Sequence, residues 1–277
     1  MSIGMKLGIY SIAGAAAGGD SESSTTWFGG RGLWFGGEIG HQDPTLIIDY
    51  ITISTTGDAT DFGDLSINNI NLGACSDGTK GLWAGGQLSS GYPNLSNVIE
   101  YVTIATTGNT TDFGDLTVAR IWNTGCSDGT KGLFGGGYSD WDDWVRTNTI
   151  DYVTVATTGD ATDFGDLSVA RAVAGACSNE TRGLWGGGHL NYSTGQDVID
   201  YITMATTGNA TDFGDLINDN GYNGACSDGT KGVWGGGWEY PVRVDVIQYV
   251  TIATTGNATD FGDLTDGRIA PSSTSGN

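Results

Sequence analysis

The block Asp61-Phe62-Gly63-Asp64-Leu65 decides how this chain folds, because the same five residues return four more times. Successive copies start about 50 residues apart. A regular period of this length is typical of a repeat protein, in which each repeat is one supersecondary unit. The later copies are Asp112–Leu116, Asp163–Leu167, Asp212–Leu216 and Asp260–Leu264.

Two other blocks recur with the same period. The first is a basic residue followed by glycine, an apolar residue and an aromatic residue, and it ends in a glycine pair. The second is a β-branched run built around a tyrosine. The first block occurs at Arg31–Gly37, Lys80–Gly86, Lys131–Gly137, Arg182–Gly188 and Lys231–Gly237, and the tyrosines are Tyr50, Tyr101, Tyr152, Tyr201 and Tyr249.

Each repeat is interpreted as four short strands. The Gly-Leu-Trp segment is apolar and ends in glycine, which permits close approach of backbones. The run Val98–Thr106 is β-branched and partly alternating, and Thr-Thr-Gly-Asn after it suits a hairpin turn. The Asp-Phe-Gly-Asp-Leu block starts a return strand, and Thr117–Arg120 starts the fourth strand. Four strands at this period favour a β-propeller blade over a coil of a β-solenoid.

The two ends of the chain complement each other. The tail from Leu264 to Asn277 aligns with Leu116–Gly129, which contains the strand that precedes the next Gly-Leu-Trp block. The first such block, Gly32–Trp34, has no preceding strand of its own. We therefore predict an all-β, five-bladed propeller over residues 29–277, in which a C-terminal strand completes the first blade and the ring closes by pairing of the N- and C-terminal segments. Residues 1–28 are predicted to form an N-terminal arm.

The repeat resembles a kelch-type propeller blade in its glycine pair, its tyrosine, the aromatic residue of the return strand and a following arginine. The run Thr-Thr-Gly-Asn-Ala-Thr-Asp-Phe-Gly-Asp-Leu-Thr-Val-Ala-Arg is similar to the repeat of kelch-like proteins of tailed bacteriophages, many of them cyanophages. Those proteins are described as virion structural or tail-associated. The resemblance covers residues 31–277, although two copies carry Asn69 and Asn220 in place of the arginine found at Arg120, Arg171 and Arg268.

The resemblance implies a non-enzymatic virion protein, either a capsid decoration or a tail or fibre component, assembled in the host cytoplasm. The stretch 5–19 is similar to a short secretory signal, but we interpret it as part of an arm that docks onto other virion proteins. The arm residues expected to make this contact are Met5, Leu7, Ile9, Tyr10 and Ile12.

Net charge and hydropathy limit the classes of partner that are expected for this chain. The net charge is −21, with 11 Lys and Arg against 32 Asp and Glu, so a basic patch for nucleic acid is not expected. No apolar run reaches the roughly 18 residues that a membrane helix needs. We therefore expect neither a nucleic acid nor a membrane as partner.

Residues that could support catalysis or bind a metal are few. There are two histidines, His41 and His189, and most acids recur with the repeat, so we expect no enzyme activity and no cofactor. The repeated aspartates could bind Ca²⁺. The interpretation that we prefer is that they cap turns or pair with the blade arginine, and no metal site is assigned. Three residues before each block there is a further Asp or Asn whose side-chain oxygen could also bind Ca²⁺. These residues are Asp58, Asn109, Asp160, Asn209 and Asn257.

Cysteines and aromatic residues at equivalent repeat positions are predicted to be core. The cysteines should be reduced and buried, because equivalent positions on neighbouring blades lie too far apart for a disulfide. The cysteines are Cys75, Cys126, Cys177 and Cys226, and the aromatic residues are Trp34, Trp83, Phe134, Trp185 and Trp234.

The segment after each glycine pair differs in every repeat. Such loops should emerge on one face of the propeller, where recognition usually occurs, although neutral drift of a surface would produce the same variation. Exposed Trp and Tyr suit stacking on sugars or anchoring of protein contacts, so the alternative function is a lectin-like adhesin for host-surface glycan. The predicted binding residues are Tyr92, Trp141, Trp144, Tyr192, Trp238 and Tyr240.

Overall fold

A computed structural model describes residues 12–14, 30–40, 43–88, 94–140, 145–191 and 193–271. Within these ranges the regular structure consists of β-strands alone. No helix in the described ranges has the length and apolar character needed to cross a membrane.

Five four-stranded antiparallel sheets form the blades of a β-propeller, which confirms the predicted fold class. In each blade an inner strand pairs with the Gly-Leu-Trp strand, then the tyrosine strand, then the return strand. The blade strands are β1 (Ile12–Gly14), β2 (Arg31–Phe35), β5 (Ile47–Thr52) and β6 (Thr60–Asp64) in blade 1; β8 (Gly73–Ser76), β9 (Lys80–Ala84), β11 (Val98–Thr103) and β12 (Thr111–Asp115) in blade 2; β13 (Thr124–Ser127), β14 (Lys131–Gly135), β17 (Thr149–Thr154) and β18 (Thr162–Asp166) in blade 3; β19 (Gly175–Ser178), β20 (Arg182–Gly186), β23 (Val198–Thr203) and β24 (Thr211–Asp215) in blade 4; and β25 (Gly224–Ser227), β26 (Lys231–Gly235), β29 (Val246–Thr251) and β30 (Thr259–Asp263) in blade 5.

Short two-stranded ribbons accompany the blades, built from the segments that follow the glycine pairs. In blade 2 the ribbon pairs this segment with the linker before the blade, whereas in the other blades it is a local hairpin. These strands are β3 (Glu38–Gly40), β4 (Asp43–Pro44), β7 (Asn69–Ile70), β10 (Gln87–Leu88), β15 (Tyr138–Asp140), β16 (Val145–Arg146), β21 (His189–Asn191), β22 (Thr194–Gly195), β27 (Trp238–Glu239) and β28 (Val242–Arg243).

Neighbouring blades are joined by the turn after the tyrosine strand. At the junction between blades 1 and 2, Gly108 N donates to Phe62 O at 2.7 Å and Thr110 N donates to Asp64 O at 2.9 Å. The Asn109 side chain accepts a further bond from Asp64 N at 3.1 Å. The same three bonds occur between blades 2 and 3, blades 3 and 4, and blades 4 and 5. The prediction that the aspartates of the return-strand block cap turns is confirmed by backbone N–H groups two residues later, which donate to the Oδ1 atoms of Asp61, Asp163, Asp212 and Asp260.

The glycine of the return strand is required by this junction. Each blade has a β-bulge opposite it, for example between Ile99 and Glu100, which bends the strand. Gly114 has a φ of 147°, and a Cβ on it would lie 2.4 Å from the backbone of Gly159 in the next blade. Only glycine combines that conformation with that approach.

The core lies between the blades. Trp83, Phe134, Trp185 and Trp234 are almost fully buried, as predicted, whereas Trp34 in blade 1 is half-buried. The cysteines are free, as predicted; Cys75, Cys126 and Cys177 are buried and Cys226 is half-buried. Burial raises the pKa of the three buried thiols well above the ordinary value.

Two predicted repeat arginines form buried ion pairs. Arg120 Nη2 lies 3.0 Å from Asp151 Oδ2 and Arg171 Nη2 lies 2.7 Å from Asp200 Oδ2, and all four side chains are inaccessible to water. The partners of these arginines belong to the tyrosine strand of the next blade. The pairing therefore does not involve the return-strand aspartates that the sequence offered as candidates.

The first blade differs from the sequence prediction at its inner edge. The strand that pairs with β2 there is β1, in which Ala13 lies opposite Leu33 and Gly14 lies opposite Gly32. Ile12–Gly14 was predicted to lie in the docking arm, and the edge was assigned to the C-terminal tail. The small residues of β1 suit the same narrow inner position that Gly73–Ser76 holds in blade 2. Met5, Leu7, Ile9 and Tyr10, and residues 272–277 of the tail, lie outside the described residues.

Candidate functional site

The candidate site is built on the linkers that enter the blades. The sixth residue after the leucine of each return-strand block has a positive φ between 54° and 62°. This conformation is uncommon for residues other than glycine, and for bulky residues it marks a strained position. The five residues are Asn71, Trp122, Val173, Tyr222 and Ala270.

A chain of backbone hydrogen bonds holds these five positions around the centre of the propeller. Trp122 N donates to Asn71 O at 3.0 Å and Val173 N donates to Trp122 O at 3.2 Å. Tyr222 N then donates to Val173 O, and Ala270 N donates to Tyr222 O, each at 2.8 Å. The backbone is therefore uniform while the side chains differ from blade to blade.

The variable segments meet the linkers at their first residue. Isolated bridges pair Ile121 with Tyr138, Ala172 with His189 and Gly221 with Trp238. Consequently Tyr138, His189 and Trp238, which directly follow glycine pairs, lie beside the linker positions. We call the face that carries these segments the loop face.

Six aromatic rings of the loop face contact one another and are here named the axial aromatic cluster. Trp122 packs edge-on against Tyr138 at a centroid distance of 5.3 Å and approaches Tyr222 at 6.2 Å. His189 contacts Tyr222 at 5.3 Å and stacks on Trp238 at 5.7 Å with an interplanar angle of 17°. The cluster consists of Trp122, Tyr138, His189, Tyr222, Trp238 and Tyr240.

The rings differ in their exposure to solvent. Tyr138, His189 and Trp238 are buried, Trp122 and Tyr222 are half-buried, and Tyr240 is 54% exposed. Tyr240 packs edge-on against Trp238 at 5.5 Å, so the exposed ring is supported by a buried one. This arrangement leaves accessible aromatic surface over a rigid base.

Arg146 adds a positive charge and hydrogen-bond donors to the cluster. Its guanidinium carbon lies 4.5 Å from the centroid of the Tyr138 ring, within cation–π range. Its Nη2 donates to Tyr138 Oη at 2.6 Å and its Nε donates to His189 O at 3.1 Å. The side chain thus links the loops of blades 3 and 4.

His189 is a neutral, structural member of the cluster. Burial is the largest influence on its pKa and lowers it below the ordinary value. Its Nδ1 lies 3.2 Å from Asn191 O and its Nε2 lies 3.2 Å from Trp238 O. A neutral ring has one N–H, so it can donate to only one of these two carbonyl oxygens at a time.

Acidic residues surround the blade 5 side of the loop face. The pKa of Asp219 is raised, first by partial desolvation and then by the nearby charges of Asp197 and Glu239. Asn218 donates to Glu239 at 3.2 Å. The linker before blade 5 and the variable segment of that blade therefore carry neighbouring negative charges on the loop face.

Two of the predicted binding residues are described, and the structure brings them together. Trp238 and Tyr240 are in contact, but Trp238 is buried at the base of the cluster rather than exposed as predicted. Tyr92, Trp141, Trp144 and Tyr192 lie outside the described residues.

Trp122 and Tyr222 were not predicted as site residues. The sequence signal that could have identified them is the residue type at this linker position, which changes from repeat to repeat inside an otherwise uniform repeat. Its five occupants are Asn71, Trp122, Val173, Tyr222 and Ala270.

Chemically, the cluster offers aromatic faces, a guanidinium group and hydroxyl groups on a rigid base. Such groups bind the apolar faces of sugar rings, or aromatic and cationic side chains of a protein partner. No protein-family model and no curated protein matches this chain.

Proposed function

We propose that this protein is a non-enzymatic binding protein that presents its loop face to a partner. One observation carries the proposal: a uniform backbone around the propeller centre holds a cluster of different, partly exposed aromatic side chains. A propeller fold is compatible with such a binding role. A uniform scaffold keeps the rings in fixed positions, which lowers the entropy cost of binding.

We further propose that the protein is a component of a bacteriophage particle, as a capsid decoration or as part of a tail or fibre. The resemblance of its repeat to kelch-like phage proteins supports this proposal. Met5, Leu7, Ile9 and Tyr10 would contact other virion proteins. Ile12, the fifth residue predicted for docking, lies in strand β1 of blade 1 and would connect this arm to the propeller.

Mass spectrometry of density-purified phage particles tests the virion assignment. We expect the chain in a fixed ratio to the major capsid protein, with many copies for a decoration and few for a tail part. Absence from particles that are otherwise complete would contradict the assignment. The docking contact is tested with a variant in which Met5, Leu7 and Ile9 are replaced by serine. This variant should be missing from the particles, although the purified variant unfolds at the wild-type temperature.

The second candidate function is binding of host-surface glycan, and the exposure of Tyr240 above Trp238 favours it. A sugar ring stacks on an accessible aromatic face, and this geometry provides one. A glycan array screened with the wild-type protein identifies the probe. We then expect Tyr240→Ala to weaken binding of that probe at least several-fold.

Ile217→Ala is the matched control for this experiment. Ile217 is 50% exposed, close to the exposure of Tyr240, and lies outside the cluster. The control should bind as the wild type does. Equal loss in both variants, or binding that survives Tyr240→Ala unchanged, would contradict a glycan site at the cluster, and an array without any hit would contradict the lectin function.

A further inference from the structure

The loop face carries acidic residues at two positions that are neutral in every other repeat. Asp219 lies in the linker before blade 5, and Glu239 lies in strand β27 of the blade 5 variable segment. Because the rest of the repeat is uniform, neutral residues at these positions are compatible with the fold. The counterparts are Asn68, Ala119, Ala170 and Gly267 for Asp219, and Ile39, Leu88, Ser139 and Leu190 for Glu239.

A third carboxylate, from blade 4, belongs to the same surface. Asp197 follows the variable segment of blade 4, and the linker of Asp219 runs beside that segment, since Asn220 N donates to Gln196 O at 3.1 Å. Strand β22 of the blade 4 segment also contacts β27, which carries Glu239. Three separate segments of chain therefore bring their acidic residues to one place on the loop face.

The three carboxylates repel one another. Desolvation raises the pKa of Asp219 first, and the charges of Asp197 and Glu239 raise it further. A carboxyl group with a raised pKa binds a proton more readily in the folded protein than in the unfolded chain, so its ionised form costs stability at neutral pH. The surface is thus charged at the expense of stability, which is common where a group serves binding.

Glu239 is oriented by a hydrogen-bonded chain that starts in the core. Gln248, which is inaccessible to water, donates from Nε2 to Asn218 Oδ1 at 3.3 Å, and Asn218 Nδ2 donates to Glu239 Oε2 at 3.2 Å. Asn218 stands where the two preceding linkers have Val118 and Val169. Neutral amides hold the carboxylate in place without cancelling its charge, so Glu239 remains able to pair with a cation of a ligand.

The accessible aromatic ring of the axial aromatic cluster follows Glu239 directly in the chain. Tyr240 is 54% exposed and is supported by Trp238. The face of such a ring binds the apolar face of a sugar, and a neighbouring carboxylate binds an ammonium group. Amino sugars without N-acetyl groups carry both features, and in an oligosaccharide one unit can stack on Tyr240 while ammonium groups of other units reach the carboxylates.

We propose, resting on the glycan-binding function proposed above, that the ligand of the loop face is an oligosaccharide with unacetylated amino groups. One sugar ring stacks on Tyr240, and the ammonium groups of the chain pair with Asp219 and Glu239, beside Asp197. A neutral glycan would leave these carboxylates without a cation, and an acidic glycan would be repelled by them. The three acids therefore select the charge of the glycan, and the aromatic ring provides the stacking surface.

Two matched probes test the charge of the ligand: a fluorescently labelled glucosamine hexasaccharide and the same hexasaccharide with every amine acetylated. In slightly acidic buffer, which keeps the free amines protonated, fluorescence anisotropy should show many-fold tighter binding of the glucosamine form, weakened by added salt. Equal binding of both forms would overturn the proposal and leave glycan binding in place. Failure of the glucosamine form to bind would also overturn it, and hits with neutral sugars on the glycan array would then show that the binding function itself stands.

Variants separate this site from general attraction of a cation to an acidic protein. The double variant Asp219→Asn, Glu239→Gln should bind the glucosamine hexasaccharide several-fold more weakly, and so should Tyr240→Ala. The control is Asp112→Asn, Asp115→Asn, which removes the same charge from exposed acids of return strand β12. The control should bind as the wild type does, and equal losses in the two double variants, or unchanged binding by Tyr240→Ala, would overturn the proposal.

Thermal unfolding separates a binding role of the acids from a structural one. Because the carboxylates repel one another, the double variant Asp219→Asn, Glu239→Gln should unfold at or above the wild-type midpoint while it loses binding. A midpoint several degrees below that of the control would assign these acids to the support of the fold and would overturn the proposal.

Discussion

At the scale of single residues, the two buried arginines of the described ranges each have an aspartate partner. Arg120 and Arg171 each pair with an aspartate, whereas Asn220 lies in a linker that precedes the neutral Gln248. The Asn220 side chain donates to Gly236 O at 2.6 Å, so it uses a backbone carbonyl instead of a carboxylate. Removing one charge of a buried pair therefore has a different consequence from removing both.

Arg171→Ala should destabilise the protein by about 3–5 kcal/mol, because it leaves Asp200 buried without its partner. The double variant Arg171→Asn with Asp200→Gln copies the residues that the chain itself uses at positions 220 and 248. We expect it to be much closer to the wild type. Chemical denaturation measures the free energy of unfolding of both variants. Equal losses of stability would show that the unpaired charge of Asp200 is not what destabilises Arg171→Ala.

The pKa of His189 predicts a pH dependence. Burial lowers it, so the folded protein binds a proton less readily than the unfolded chain, whose histidines titrate near pH 6.5. The contribution of neutral His189 to stability is complete above that pH and is lost as the pH falls. The gap in unfolding midpoint between wild type and His189→Gln should thus shrink from about pH 7.5 to about pH 5. A constant gap would contradict a buried neutral ring.

At the scale of elements, the return strand and the turn of the following blade form one unit. The turn supplies two backbone donors and one side-chain acceptor, and the return strand supplies the glycine that lets them approach. This dependence explains why Asp-Phe-Gly-Asp-Leu is the most regular block of the chain. It also explains why that block predicted the blades so directly.

Gly114→Ala should lower stability by at least about 1–3 kcal/mol, the usual cost of a strained backbone, with the clash against Gly159 in addition. Gly108→Ala is the matched control, since Gly108 has a φ of 157° but open space around it. The additional loss of stability in Gly114→Ala, relative to Gly108→Ala, measures the contribution of the close approach at the blade junction. Equal losses in denaturant would mean that the close approach contributes nothing.

Other elements could not be predicted from sequence. Strand β1 consists of three small or apolar residues, Ile12–Gly14, which carry too short a pattern to distinguish a strand from an arm. The linker residues Trp122 and Tyr222 have positive φ values although neither is glycine or asparagine, so no local signal marks the turn. Their conformation is imposed by hydrogen bonds to neighbouring blades.

At the scale of the whole molecule, a uniform scaffold supports a variable face. Five similar blades could be predicted because their residues recur, and the loop face could be predicted because its residues do not. Trp238 and Tyr240 lie in the variable segment of blade 5, but the burial of Trp238 could not be foreseen. It follows from its stacking on His189, which comes from a different blade.

We propose above that the axial aromatic cluster binds the partner of this protein. The most direct test compares a glycan array probed with wild-type protein and with the double variant Trp122→Ala, Tyr222→Ala, after both are shown to unfold at similar temperatures. We expect hits for the wild type that disappear in the double variant. Hits that persist at wild-type strength would contradict it, and would place binding elsewhere on the molecule.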